Sequence, residues 1–504
     1  MKPNATFTIA AILVANCFCL SADPQETPKS APPPKSAPPK AAPVKPAVST
    51  PTYPQSQGQG QKAEPANNST PPTTHPPAAT PLNGRGPAPN TTHPTGPGEP
   101  KGPGYNPIND RPSANTGRPG GPGPAIPRGA RSVPFNGGTK VVRADGSLHS
   151  VQARGITVTH GPNGMRNIVA DRPDGSRVVV NRAGGGYVQR PFSYRGNSYV
   201  SRTYVVNNVT SVHYYRQYAY PGRPGLSLAI YAPPVYYSPG FYGWAYHPWG
   251  PSIAFSWGWG GSPWFAYYGP YYAPYPVYPS AVPWLTDYLI AASLQDAYAQ
   301  QAPGGPPPSG PPLSPQVKDY IGQEVQRQLM LANAEGQTQQ RGADIDPGSS
   351  SVARILGDGQ PHVFVAHAGL DLVDNSGNEC AISEGDAIQF TPPAPAPGSA
   401  AVNVQVLWSR GQDCRIGSTV SLGLDNLQEM QNYMRATVDT ALADLKSKQG
   451  HDGIPTAPAV ANANPVPAQY APLAPPPDPN ANATLKDELG AADQVEKDAN
   501  AHQP

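Results

Sequence analysis

Three sets of residues have the types and spacing from which chemistry is made. Cys380 and Cys414 stand apart, without the Cys-x-x-Cys spacing of structural zinc. A disulfide is expected between them, rather than a zinc site with His362 and His367. Trp244, Trp249, Trp257, Trp259 and Trp264 fall within one short stretch, and flat indole faces stack on sugar rings or on other aromatics. Arg172, Arg177, Arg182, Arg190, Arg195 and Arg202 recur along a run of short β-forming segments. A guanidinium offers a planar fork to phosphate or carboxylate, so these six are candidate anion-binding residues. The same arginines also serve simply as solvated charges that keep sheet edges apart.

The common catalytic patterns are missing from the sequence: there is no HExxH, GxSxG, P-loop or GxGxxG following a strand. Asp374-Asn375-Ser376-Gly377 is only loosely like an aspartic-protease loop, because Asn375 breaks the Asp-Ser-Gly spacing, and it reads as a hairpin turn. His149, His160, His213 and His247 share no spacing. The expectation is therefore a protein that is not an enzyme and takes no cofactor and no metal.

The elements that must position these residues follow from composition. The chain has 504 residues, of which 70 are Pro and 52 are Gly, and only 38% are hydrophobic. That proportion, without collagen periodicity, predicts long disordered segments. Residues 1–22 read as a secretory signal: a basic start at Lys2, an apolar run from Ile9 to Leu20, then small residues to Ala22. The run is too short to span a membrane as a helix, so no transmembrane helix is expected in the mature chain. Lipidation at Cys17 is disfavoured, because Asn16 rather than a small residue precedes it. Residues 23–134 read as a disordered Pro-rich linker with a tandem PKSAPP repeat.

Order is expected from residue 135. Over 135–223, turn signals recur every eleven residues, at Asn163-Gly164, Asp174-Gly175, Gly184-Gly185-Gly186, Arg195-Gly196-Asn197 and Asn207-Asn208. Such turns between β-formers predict a ribbon or meander of hairpins. This region is basic, with fourteen Lys/Arg against three Asp/Glu from Arg128 to Arg223. Residues 224–301 form an aromatic segment that ends in a helix over Thr286–Gln300. Pro224 to Thr286 holds no charged residue and six of the seven tryptophans. Its prolines break every window long enough for a membrane helix. Three readings stay open for the rings: a core that wraps the ribbon, a binding surface, or an element of self-association.

A Pro/Gly linker (302–315) and a helix with its connector (316–351) lead to an acidic domain over 352–450. Short strands are read at 362–367, 369–373, 386–390, 401–409 and 418–423. They predict a small barrel-like β domain. Its packed helix carries Leu427, Met430, Met434, Val438, Ala441 and Leu445, with Asp425 as N-cap. From Ser314 to Gln449 there are sixteen Asp/Glu and nine Lys/Arg, so this module is suited to attract the basic ribbon. Residues 451–504 read as a disordered tail. The expected fold is thus mainly β with long disordered segments: a hairpin ribbon, then the small barrel-like domain and its helix.

The order of signal, Pro-rich spacer, turn-punctuated strands, YAPPVYYSPGFYGWAYHPWG, GSPW, YPVYPS and WLTDYLIAASLQDAYAQ resembles a group of uncharacterised exported, Tyr/Pro/Gly-rich proteins of soil bacteria. The resemblance implies export and brings no activity or site residues with it. The leading expectation is a non-enzymatic, exported envelope protein, periplasmic or extracellular. Its expected partner is an anionic wall or outer-membrane polymer rather than nucleic acid. A secreted carbohydrate-binding or matrix-forming protein is the alternative, with an enzyme third.

Overall fold

The computed structural model describes residues 126–501, apart from 182–183, 207–208, 222–224, 301–309, 397 and 412. The signal segment, Cys17, most of the Pro-rich linker and Arg182 lie outside the described residues.

Ten strands form one antiparallel meander in strict chain order. They are β1 (Arg131–Phe135), β2 (Gly138–Val142), β3 (Leu148–Ala153), β4 (Ile156–His160), β5 (Arg166–Asp171), β6 (Arg177–Val180), β7 (Gly186–Tyr194), β8 (Asn197–Val206), β9 (Val209–Ala219) and β10 (Ser227–Ala232). Local chemistry makes the hairpins. Arg195 and Gly196, both at positive φ, form the two-residue turn between β7 and β8, the conformation that matches strand twist. In the turn between β5 and β6, Asp174 accepts from both the backbone N–H and the hydroxyl of Ser176. The sheet starts at Arg131, a few residues before the expected boundary.

After β11 (Val235–Tyr236) the aromatic segment coils through α1 (Pro239–Tyr246) and α2 (Pro263–Tyr268) into α3 (Ala281–Gln300). Helix α4 (Pro315–Gln340) begins where Ser314 and Pro315 predict, with the Ser314 hydroxyl accepting from Val317 N–H at 3.2 Å. A short α5 (Val352–Ile355) precedes the second sheet. Its strands are β12 (His362–Val365), β13 (Leu370–Asp374), β14 (Glu379–Ile382), β15 (Ala387–Phe390), β16 (Ala401–Trp408) and β17 (Thr419–Gly423), in the spatial order β12-β15-β16-β17-β13-β14. This is an open sheet, because β12 and β14 stand at opposite ends and do not pair; the barrel-like expectation is corrected. Cys380 and Cys414 are joined by a disulfide that fastens β14 to the loop before β17. Helix α6 (Leu424–Ser447) follows. Gly423 rather than Asp425 is its N-cap, and Asp425 lies in the first turn.

Two further expectations are overturned. Residues 451–501 are not a disordered tail. They include β18 (Val466–Pro467), which pairs with β11, and helix α7 (Ala481–Ala501). Ala481, Leu485, Ala492, Val495 and Ala499 of α7 bury against Val151, Val158, Ile168, Val178, Val180 and Val188 of the ribbon. The second correction concerns the reading of the rings as a core that wraps the ribbon: α7 is the apolar partner along β3 to β8, while Tyr236 of the aromatic segment meets Tyr199 of β8. Small inward valines and alanines leave a shallow face, and a narrow Ala/Leu/Val stripe fits it better than indoles. The aromatic segment instead shares a core with α3, α4 and α6, where Trp284, Tyr242, Tyr268, Tyr278 and Phe241 are fully buried.

Candidate functional site

The predicted tryptophans separate into two groups. Trp249 is buried beneath Trp244, the rings stacked at 5.4 Å, and its indole N–H donates to Trp244 C=O at 3.2 Å. Trp249 belongs to the core, and Trp244, itself half-buried, packs on Phe241. Trp257, Trp259 and Trp264 form a second group on top of Trp284. Trp257 stacks on the buried Trp284 at 4.8 Å and on Trp259 at 4.4 Å, while Trp264 meets Trp259 edge-on. Trp264 is buried, whereas Trp257 and Trp259 are half-buried.

Those two half-buried rings, with Phe255 and Tyr288, line a groove of about 390 Å³. Its polar side comes from far away in sequence: Gln295 of α3, Asp444 and Lys448 at the end of α6, and Asp452 just beyond. Lys448 and Asp444 pair at 3.2 Å. The floor is held rigidly. Trp257 Nε1–H donates to the Tyr278 hydroxyl at 2.7 Å, which donates to Asp287 Oδ2 at 2.8 Å. Burial raises the Tyr278 pKa, so its hydroxyl stays protonated and available as that donor. Fixed aromatic faces beside amide, carboxylate and ammonium groups match a sugar ring, whose C–H face is apolar and whose edge is hydroxyl-rich.

The arginines are arranged differently from the expectation of a free anionic-ligand face. Arg202 is buried: its guanidinium forks onto Glu429 of α6 at 2.5 and 2.8 Å and lies over the Tyr215 ring. Burial works to raise the pKa of Glu429, yet the Arg202 charge holds it below the usual range. Arg172 pairs with Glu488 of α7, and Arg190 with Asp478 at 2.7 Å. Arg177 sits 3.7 Å from Asp171, and Arg195 donates to Gln469 and lies against Tyr194. The missing counter-charge came from residues 451–504, which carry seven acidic against two basic residues. The acidic module contributes Glu429, in keeping with attraction between the two regions.

Sequence reasoning missed Tyr288, Gln295, Asp444, Lys448 and Asp452, because no short-range spacing ties α3 and the end of α6 to Trp257. The histidines also find unannounced partners. The His362 ring bonds to Glu324 and Asp358, and His367 stacks on Tyr433. His149 meets Asp371 and Glu379. Among the described residues no helix is long and apolar enough to cross a membrane. Compared with protein-family models, curated proteins and solved structures, the chain finds no match.

Proposed function

We propose that the chain is an exported, non-enzymatic envelope protein that acts by holding on to envelope material. The observation that carries this reading is the groove floored by Trp257 and Trp259, two stacked indoles left half-exposed on top of the buried Trp284. The Cys380–Cys414 disulfide supports an oxidising compartment, as does the signal-like residues 1–22. The binding contact is assigned to the groove rather than to the arginines, whose forks face Glu429, Glu488 and Asp478 within the chain. Fractionation of cells tests this: the protein is expected with the envelope fraction and resistant to a salt wash, because ring stacking is not screened. Recovery solely from the culture medium overturns envelope attachment.

The groove favours one further reading, that of a secreted carbohydrate-binding protein. The chemistry of the contact is the same, and only the location differs. Binding to an insoluble glycan by protein recovered from the medium supports it.

A further inference from the structure

His149, Asp371 and Glu379 come from two different sheets and converge where the ribbon abuts β13 and β14. Each is aimed there by its strand. Val142 pairs with Leu148 and Val141 with Ser150, so His149 is the extra residue of a β-bulge. Bulges redirect a side chain out of the regular alternation. Asp371 pairs with Ala381 and Val373 with Glu379, which makes Asp371 and Glu379 diagonal neighbours on one sheet face. The His149 side chain is fully buried and that of Asp371 is 4% exposed.

We propose that these three side chains form a binding site for a divalent transition-metal ion that clips the ribbon to the second sheet. The donor atoms are already gathered. His149 Nε2 is 2.9 Å from Asp371 Oδ2 and 4.0 Å from Glu379 Oε1, and all three ligand atoms lie within 4.8 Å of one another. Around a tetrahedral ion with bonds of about 2.1 Å, ligand atoms stand about 3.4 Å apart, so the observed separations bracket what is needed. The second oxygen of Asp371, Oδ1, is buried with no hydrogen-bond partner, as is His149 Nδ1. Two carboxylates this close in a buried site call for positive charge.

Arg143 supplies part of that charge and sets the roles. Its guanidinium grips Glu379, with Nε on Oε2 at 2.6 Å and Nη2 on Oε1, and it also donates to the carbonyls of Leu148 and His160. A carboxylate oxygen has two lone pairs, so Oε1 can accept from Arg143 and ligate an ion with the other, as metal-binding carboxylates commonly do. Asp371 has no guanidinium partner among the described residues, and its Oδ2 meets His149 Nε2. One imidazole with two carboxylates suits Zn²⁺ and its neighbours rather than Ca²⁺, which takes six to eight oxygens.

The test uses the full chain, stripped with chelator and titrated with ZnCl₂ by calorimetry, with metal content measured on the recovered protein. Melting curves with and without Zn²⁺ give the second readout. The wild type is expected to take up an equivalent of Zn²⁺ that His149→Gln, Asp371→Asn and Glu379→Gln lose or bind about a hundredfold more weakly. Zn²⁺ is expected to raise the melting temperature of the wild type and not of the variants. Circular dichroism of the metal-free variants checks that they fold. Should a variant fail to fold, the wild-type melt decides: no Zn²⁺-dependent rise overturns the proposal. Equal Zn²⁺ affinity in wild type and folded variants overturns it as well.

Discussion

Lys318 Nζ lies 2.6 Å from Asp287 Oδ1, with the lysine side chain 7% exposed and the aspartate fully buried. Asp287 is the first charged residue after the 63 uncharged positions 224–286. It also accepts from Tyr275 N–H at 2.6 Å and Tyr278 O–H at 2.8 Å. Lys318 in turn donates to Ala273 C=O and sits 3.7 Å from the centre of the Tyr275 ring. A single ion pair thus ties α3 and α4 to the aromatic chain and, through Tyr278, to Trp257. Removing one partner leaves a buried charge uncompensated, which typically costs about 3–5 kcal/mol. Lys318→Met is expected to destabilise by that order in urea unfolding, and Lys318→Met with Asp287→Asn to recover much of the loss. A single variant as stable as wild type would show the pair to be dispensable.

The disulfide makes a separate prediction. It closes a loop of 34 residues, worth about 3–4 kcal/mol in the chain-entropy view. Cys380→Ser with Cys414→Ser is expected to lower the melting temperature clearly, and reductant to do the same to wild type but not to the double variant. A wild-type melt indifferent to reductant contradicts this.

Acidity should stabilise one buried site. Burial pushes Asp439 up to about 7, against the opposing charge of Arg435. A carboxyl with a raised folded pKa holds its proton in the native state while the unfolded chain has released it. Its contribution to stability therefore falls as pH rises from about 4 to about 7. The Asp439→Asn variant is expected to lose less stability than wild type between pH 5 and pH 7.5, measured as the difference in urea midpoints. Identical pH slopes rule out this role for Asp439.

Counter-charges in the C-terminal segment pair with arginines of the ribbon. Asp478→Asn, Glu488→Gln and Glu496→Gln together remove the acidic partners of Arg190 and Arg172 and one of the two of Arg166, which keeps Asp493. The triple variant is expected to elute from immobilised heparin at higher salt than wild type. Equal elution shows that those arginines remain occupied or unreachable.

Much of the architecture was legible. Turn glycines at fixed intervals marked the meander, and the Leu427-to-Leu445 stripe marked α6, all six of its residues being buried. Three features were not legible, each for a physical reason. Helix α7 hides its stripe in alanine: Ala481, Leu485, Glu488, Ala492, Val495 and Ala499 keep a four–three spacing but little hydrophobic contrast. Strand β14 contains Cys380 and follows closely on the Asp374–Gly377 turn, and its four residues Glu379 to Ile382 show no apolar/polar alternation to read. The groove and the His149 cluster are assembled from positions separated by well over a hundred residues, which no local period reveals. The five tryptophans were legible as a group. Only their packing distinguishes the stacked pair Trp244 and Trp249 on Phe241 from the groove pair Trp257 and Trp259.

The central claim is that the protein holds envelope material through that groove, and co-sedimentation with isolated, protein-stripped envelope polysaccharide tests it most directly. In high salt, wild type is predicted to pellet with the polysaccharide. Trp257→Ala with Trp259→Ala is predicted to stay in the supernatant, while Trp244→Ala, shown to be folded by its melt, still pellets. Equal pelleting of wild type and the Trp257/Trp259 variant, or no pelleting of wild type, contradicts the account.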